Sequence, residues 1–480
     1  MGKNAEKRHA LTEKLHSTQY SCQRVRRAER RGASAPRTGE SAPCITIFHV
    51  PCNEAGHFSI LCLVNIYDMK TASYILAALI AAAALTSCTV SDDFDDSYER
   101  GKGSSEGSGD YPIAPSGETA DEGGGSGLEP GGQGGNSQAG RVTAGEWCDL
   151  DHWVFWSDLM SGTDYGSMSE YWGFWTNNRV AFHVADKEGK PLAGVKINLV
   201  RGESTVWTAV TDNRGRAEAW IGMMQKETNP SGIEVLVDGQ KWDAEPQIST
   251  WNQQSEAKIN EIVLDAKSSV EAKADIAFIV DATGSMGDEI AFLKDDLLDI
   301  LKKVEADQSG ITFRTGALFY RDEGDEYVTR PSDFTTDFSK TTAFIGEQNA
   351  DGGGDYPEAV HTALEESLTK LSWDKNAKIR IAFMLLDAPA HHEDAVIKRL
   401  QNIIPFYSRM GIRIIPIAAS GVDKTAEFML RFFALATGGT YVFITNDSGI
   451  GGDHIVASVG DYQVELLNEL IIRLIKEYTD

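Results

Sequence analysis

The sequence predicts an α/β protein: a doubly wound, mostly parallel sheet preceded by a small antiparallel β-sandwich. Three observations carry this. From Asp275 onward, apolar runs of strand length alternate with amphipathic stretches of helix length. Between Trp147 and Trp251, short alternating segments separated by Gly/Asn/Asp/Pro turns hold nine of the ten tryptophans. From Cys88 to about residue 142 the chain is acidic and Gly/Ser-rich with no apolar period, so no core can form there and the stretch reads as a tether.

The α/β region, 274–480, opens with DIAFIVD, an Ile/Val/Phe run typical of a fully buried strand, and a helix follows to Val304. ITFRTGALFYRD is the next strand and YVTR an edge hairpin strand. Helix PEAVHTALEESLTKL then leads to strand KIRIAFMLLD, and helix HEDAVIKRLQNIIPFYSRM to strand GIRIIPIAA. Helix KTAEFMLRFFALATGG, strand TYVFI and helix VELLNELIIRLIKEY complete the pattern. In the region 143–265, VAFHVAD, VKINLV, TVWTAVT and RAEAWI read as short strands closed by the turns EGKPLAG and DNRG. GKPLAGVKINLV with TDNRGRAEAW resembles the carboxypeptidase-regulatory-like and other Ig-like sandwiches. The tryptophans read first as core or interface packing. A sugar platform on Trp153, Trp172 and Trp175 is the lesser alternative.

Three loops of the α/β region are unusual: DATGSMG, DGGGDYPEA (351–359) and LLDAPAHHED (385–394). Asp281 and Asp387 end two long apolar strands, so they are expected side by side at the top of the sheet, where such folds bind ligands. Two carboxylates held close repel, so a cation binds or one is protonated. Oxygen donors alone suit a hard cation, Mg²⁺ or its rivals Mn²⁺ and Ca²⁺, and the first loop has no imidazole or thiolate for zinc.

This pattern resembles the von Willebrand factor type A (integrin I-like) domain and its metal-ion-dependent adhesion site. The family's Asp-x-Ser-x-Ser corresponds to Asp281-Ala282-Thr283-Gly284-Ser285, and its later aspartate, which often binds through water, to Asp387. The resemblance implies that Asp281, Thr283 and Ser285 hold the ion. The family's Gly-Gly-Thr is replaced by Gly352-Gly353-Gly354-Asp355, so Asp355 is expected to supply the oxygen of the missing threonine. GGGDxPEA with DAPxH is similar to a bacterial and alpha-kinase-associated branch of the family. Asp322 and His391 are candidates for the rim.

Net charge is −26, which excludes a nucleic-acid backbone as partner. The six cysteines form no CxxC pair, so no zinc knuckle or thioredoxin-like motif is indicated. Residues 1–68 hold ten Lys/Arg against six Asp/Glu and read as an upstream extension of the true start, Met69. Residues 69–87 have the charged start and short apolar core of a signal peptide. Leu85-Thr86-Ser87-Cys88 resembles the lipobox of bacterial lipoproteins, which implies lipidation of Cys88. The acidic cluster Asp92, Asp93, Asp95, Asp96 is similar to the export signal of Bacteroidetes surface lipoproteins.

These features together lead to an expected function. The chain is a lipoprotein of the outer membrane, exposed at the cell surface. Its A domain binds a divalent cation and, through it, a carboxylate or similar oxygen of a protein ligand in adhesion or complex assembly. A scaffold facing the periplasm is the alternative reading. A hydrolase is the more remote one, either metal-based or built on Ser285 with His391 or His361, because TGSMG nearly spells the nucleophile elbow GxSxG. The protein is expected not to be an enzyme.

Overall fold

The computed structural model describes residues 46–48, 60–62, 140–226, 229–251, 255–354, 356–448 and 454–480. The chain divides into two compact units, Met1–Gly125 and Ser126–Asp480. In the first, β1 (Thr46–Phe48) pairs antiparallel with β2 (Ile60–Cys62). The signal-peptide stretch, Cys88 and the tether up to residue 139 lie outside the described residues, as does Asp355.

The second unit begins with β3 (Thr143–Trp147) and three helices, α1 (Trp153–Ser161), α2 (Thr163–Gly166) and α3 (Met168–Trp172). Seven short strands follow: β4 (Arg179–Asp186), β5 (Lys196–Arg201), β6 (Ser204–Val210), β7 (Arg216–Trp220), β8 (Glu234–Val237), β9 (Gln240–Lys241) and β10 (Ile259–Leu264). The α/β part then runs β11 (Glu271–Asp281), α4 (Gly287–Asp307), β12 (Thr312–Tyr320), β13 (Thr329–Thr335), α5 (Phe338–Gly346), α6 (Val360–Lys370) and β14 (Ala377–Leu386). It ends with α7 (Asp394–Met410), β15 (Arg413–Ala418), α8 (Lys424–Thr437), β16 (Tyr441–Ile444), β17 (Glu465–Leu466) and α9 (Leu467–Thr479).

One eight-stranded mixed sheet organises this unit, in the order β13-β12-β11-β14-β15-β16-β3-β17. The five strands from β12 to β16 are mutually parallel. Parallel strands need long crossovers, and the helices supply them. Both faces are covered. Ile276, Phe278 and Val280 of β11 pack with Leu297 of α4 and Ile471 of α9 on one side. Ile279 of β11 joins Leu364 of α6, Leu400 of α7 and Phe432 of α8 on the other. The period-2 alternation along β11 thus feeds two cores, which is why the run reads as continuously apolar.

Thr143–Trp147, expected in the aromatic sheet region, is instead a strand of the large sheet, antiparallel to both β16 and β17. The reason is packing. Ala144 is fully buried, and a Cβ at Gly145 would stand 2.6 Å from the rings of Phe443 and Tyr462, so this small-residue stretch fits close against β16. The next tryptophans are helical rather than extended: Trp153, Trp156 and Met160 share one buried helix face. They pack on α8, with Trp156 stacked on Phe428 and Phe174 on Phe432, and Trp172 Nε1 donates to the Thr425 carbonyl at 3.0 Å. Trp153 and Trp172 are fully buried and offer no ring face to a sugar.

The short strands form two sheets, β10-β4-β7 and β6-β5-β8-β9. Their apolar residues, Val180, Phe182, Ile197, Leu199 and Val235 among them, lie in one core together with α7 and α8. All pairs are antiparallel except β10, which runs parallel to β4. The fully antiparallel expectation is corrected there: five strands, β5 to β9, intervene between β4 and β10, and so long a connection lets β10 re-enter in the same direction. Among the described residues no helix is long and apolar enough to cross a membrane.

Candidate functional site

Asp281 is the last residue of β11 and Asp387 follows the last residue of β14, the neighbouring strand. Both are buried. Asp281 Oδ1 accepts from the backbone amide of Thr283 at 2.9 Å and from its hydroxyl at 2.7 Å. Its Oδ2 is buried and has no hydrogen-bond partner. Neither Asp281 nor Ser285 caps the next helix, because α4 starts after a 3₁₀ turn (Gly284–Met286) with no side-chain cap. A capping role therefore does not explain these residues.

The glycine loop closes over this turn. Gly284 N donates to the Gly352 carbonyl at 3.2 Å and Asp351 N to the Ala282 carbonyl at 3.0 Å. Gly352 and Gly353 have positive φ, +78° and +69°. A Cβ on Gly352 would lie 2.6 Å from Asp325 Oδ1, and one on Gly353 would lie 3.2 Å from both Thr283 Cβ and Glu358 Oε1. Glycine is therefore required for the approach, not only for the turn. Arg321 staples the two loops: its Nε donates to the Ala282 carbonyl at 3.1 Å and its Nη2 to the Asn349 carbonyl at 2.9 Å.

Glu358 is the residue that sequence reasoning missed. It is 3 % exposed, its Oε2 has no hydrogen-bond partner, and a backbone bridge to Ala390 ties it to the Asp387 loop. In the sequence it looks like an ordinary acid at a helix start, after Pro357. Glu289, also buried, was missed in the same way; its Oε1 accepts from the amide and hydroxyl of Ser420.

The electrostatics record this crowding. Burial, and then the charge of Asp387, push the Asp281 carboxyl up to about 7, with the Thr283 bonds opposing. Burial pushes Glu358 up to about 9, helped by Asp281, Asp322, Asp387 and Asp325. Burial also raises Asp387, while the Ser285 hydroxyl offsets part of the effect. These are the directions expected for acids that share a desolvated site without a counter-charge. Among the described residues, no group of three or more His, Cys, Asp and Glu side chains forms a ready-made metal cage. The oxygens gathered here include hydroxyls as well as carboxylates.

At the rim, His391 Nε2 bonds Asp322 Oδ1 at 2.7 Å, so these two residues hold each other. Asp325 accepts from the amides of Asp322 and Gly353, which fixes the glycine loop against the β12–β13 hairpin. Among the described residues the Ser285 hydroxyl bonds Asp387 and no histidine. His391 is engaged by Asp322, and His361 lies 3.7 Å from Glu323.

The family comparison agrees with the α/β fold of this region. Residues 275–424 match the von Willebrand factor A domain family. A stretch of 123 residues is 35 % identical to a putative ariadne-like RING finger protein of Acanthamoeba polyphaga mimivirus, covering 26 % of this chain and 12 % of that protein. Another of 121 residues is 32 % identical to an alpha-protein kinase of Dictyostelium discoideum, covering 24 % of this chain and 19 % of that one. The chain thus spans less than a fifth of the length of either relative. The crystal structure of the conserved hypothetical protein BatB from Bacteroides thetaiotaomicron aligns with 43 % of this chain and 98 % of its own, at 12 % identity and a TM-score of 0.30. Domains of the matched family are typically non-catalytic scaffolding and adhesion modules, in agreement with the expectation that the protein is not an enzyme. A von Willebrand factor A-like domain therefore occupies part of this chain, with a generic metal- or protein-binding role.

Proposed function

We propose that the loops at the carboxyl end of β11 and β14 hold a divalent cation, Mg²⁺ first and Mn²⁺ or Ca²⁺ as rivals, and present it to a carboxylate of a protein ligand. The observation that carries this reading is the buried Asp281 Oδ2, which completes no hydrogen bond, in a carboxyl that burial and then the charge of Asp387 push up to about 7 and that in turn helps to raise Glu358. A buried carboxylate without a partner is costly, and a hard cation supplies the missing charge. The donor set fits such an ion because every group is an oxygen. Asp281, Thr283, Ser285 and Asp387 would hold it, with Glu358 and the sequence-predicted Asp355 as further carboxylates. The ion would supply a Lewis-acidic position for the partner's oxygen; this chain's residues would orient it and exclude water on the buried side.

The rest of the reading comes from sequence. Lipidated Cys88 and an acidic tether would carry the domain at the outer membrane, exposed at the cell surface, with residues 180–264, within the region 143–265, as an Ig-like sandwich beside it. Titration calorimetry of the full chain with MgCl₂ and MnCl₂, comparing wild type with Asp281→Asn, tests the site. Loss of binding in the variant is expected, and unchanged affinity would end the metal reading. Capture of surface-labelled partners with and without EDTA then tests the protein-ligand step.

A further inference from the structure

The short-strand region carries a groove of its own, at the β8–β9 hairpin. It encloses about 620 Å³, and Ile233, Trp242, Pro246 and Ile248 form its apolar wall. That volume is in the range of small-molecule sites. Trp242 follows directly on β9, and its amide donates to the Val235 carbonyl at 2.9 Å. The two-residue turn, Asp238 and Gly239, has positive φ at both positions, +46° and +82°, which folds β9 tightly back on β8. The Trp242 ring meets the buried Phe182 edge-to-face, with centroids 6.5 Å apart. Trp153, Trp156, Trp172 and Trp220 are fully buried. Trp242 is held just as firmly but stays partly exposed, on the groove.

The charges of the lining are one-sided. Glu234, Asp243 and Glu245 stand against a single base, Lys241. Lys241 is already engaged, since its Nζ donates to Glu234 Oε1 at 2.7 Å. Asp243 and Glu245 are exposed on either side of Ala244, and among the described residues neither meets a cation or a hydrogen-bond donor. An acidic surface alone keeps a protein in solution, but it does not call for an indole and an apolar wall between the carboxylates. The combination suits a ligand that is apolar and cationic at once, because an aromatic ring attracts a cation most strongly where part of the water is removed.

We propose that this groove binds a quaternary ammonium compound, with the methylated head against Trp242 and Ile248 and its charge answered by Asp243 and Glu245. The methyl groups bury apolar area on the wall, and the positive charge spread over them is attracted by both the indole and the carboxylates. A primary ammonium, such as that of lysine, is compact and strongly hydrated, so it gains less from the same wall.

The test is calorimetric titration of the full chain with choline, with its uncharged carbon isostere, in which a tert-butyl group replaces the trimethylammonium, and with acetyl-lysine amide. Saturable binding of choline is expected, and the other two probes should bind at least about tenfold more weakly. Trp242→Ala, and separately the double change Asp243→Asn with Glu245→Gln, should each weaken choline by at least about tenfold. Asp281→Asn should leave it unchanged, which separates this groove from the acidic loops of the metal proposal. No saturable binding of choline, equal binding of the isostere or of the lysine amide, or loss of choline binding in Asp281→Asn would each overturn the proposal. The probe comparison uses wild-type protein and the two carboxylates are exposed, so the test decides even if Trp242→Ala fails to fold.

Discussion

Two aspartates on β11 are both fully buried, and the fold treats them in opposite ways. Asp275, near the start of the strand, receives a bidentate bond from Arg314 at 2.8 and 2.6 Å and the amide of Asp374 at 2.6 Å. Asp281, at the end, receives two bonds from Thr283 and has the neutral Tyr320 hydroxyl beside it, and its Oδ2 completes no hydrogen bond. Burial is the same, so the difference lies in who supplies the positive charge. At one end of the strand the chain supplies it; at the other the chain gathers further acids. A carboxylate satisfied by its own chain is structural, and one left open is available to a ligand.

The largest expected effect breaks or keeps this contrast. Asp275→Ala should cost about 3–5 kcal/mol in urea unfolding, the cost of breaking a buried ion pair. Asp281→Asn, measured in EDTA, should stay within about 1 kcal/mol of wild type or exceed it, because it removes a buried charge that has no partner. If both variants lose the same stability, the contrast is void.

The next effect concerns whether histidine brings positive charge to the acidic end. Burial, and then Arg399 and His391, lower His361 from 6.5 to about 4, so it is neutral at pH 7. Its folded value lies below its unfolded one. Its contribution is therefore whole above about pH 6.5 and is lost as pH falls toward 4, where the unfolded chain binds more protons. His361→Asn should flatten that acid limb by roughly 2 kcal/mol, allowing for screening, in melts from pH 7 to 4. An unaltered limb would show that His361 is already charged in the folded protein.

Glu358→Gln should leave the fold intact and weaken Mg²⁺ or Mn²⁺ affinity by about tenfold or more, about 1.4 kcal/mol, in calorimetry. A smaller change would make Glu358 a brace rather than a ligand. The smallest effect calibrates the rest: Lys187→Ala removes an exposed pair with Asp265 and should change stability by less than about 0.5 kcal/mol.

The legible parts of this molecule are those with local signals. The strands ending at Asp281 and Leu386 are long apolar runs stopped by a carboxylate, and the glycines at 352 and 353 announce a close approach. Thr143–Trp147 was not legible as a sheet strand, because its partners β16 and β17 lie about three hundred residues on and its own pattern is too short to specify a face. Glu358 was hidden for another reason. Its local sequence fits a helix start, and only the bridge to Ala390 turns it toward Asp281. An acid followed by an apolar helix and preceded by Gly-rich backbone is the signal that would have flagged it.

The placement of β3 bears on how the domain takes a load. The amide of Gly140 is held by both oxygens of Asp296, which lies within α4, and β3 is locked between β16 and β17. Tension on the chain ahead of Gly140 would therefore enter through α4 and the middle of an antiparallel trio, not through a frayed end. The first turn of α4 follows directly on the Thr283–Ser285 loop. The helix thus acts as a strut with the traction point on its flank and the acidic loops at its tip, so a partner seated there would be pulled against a rigid member of the fold.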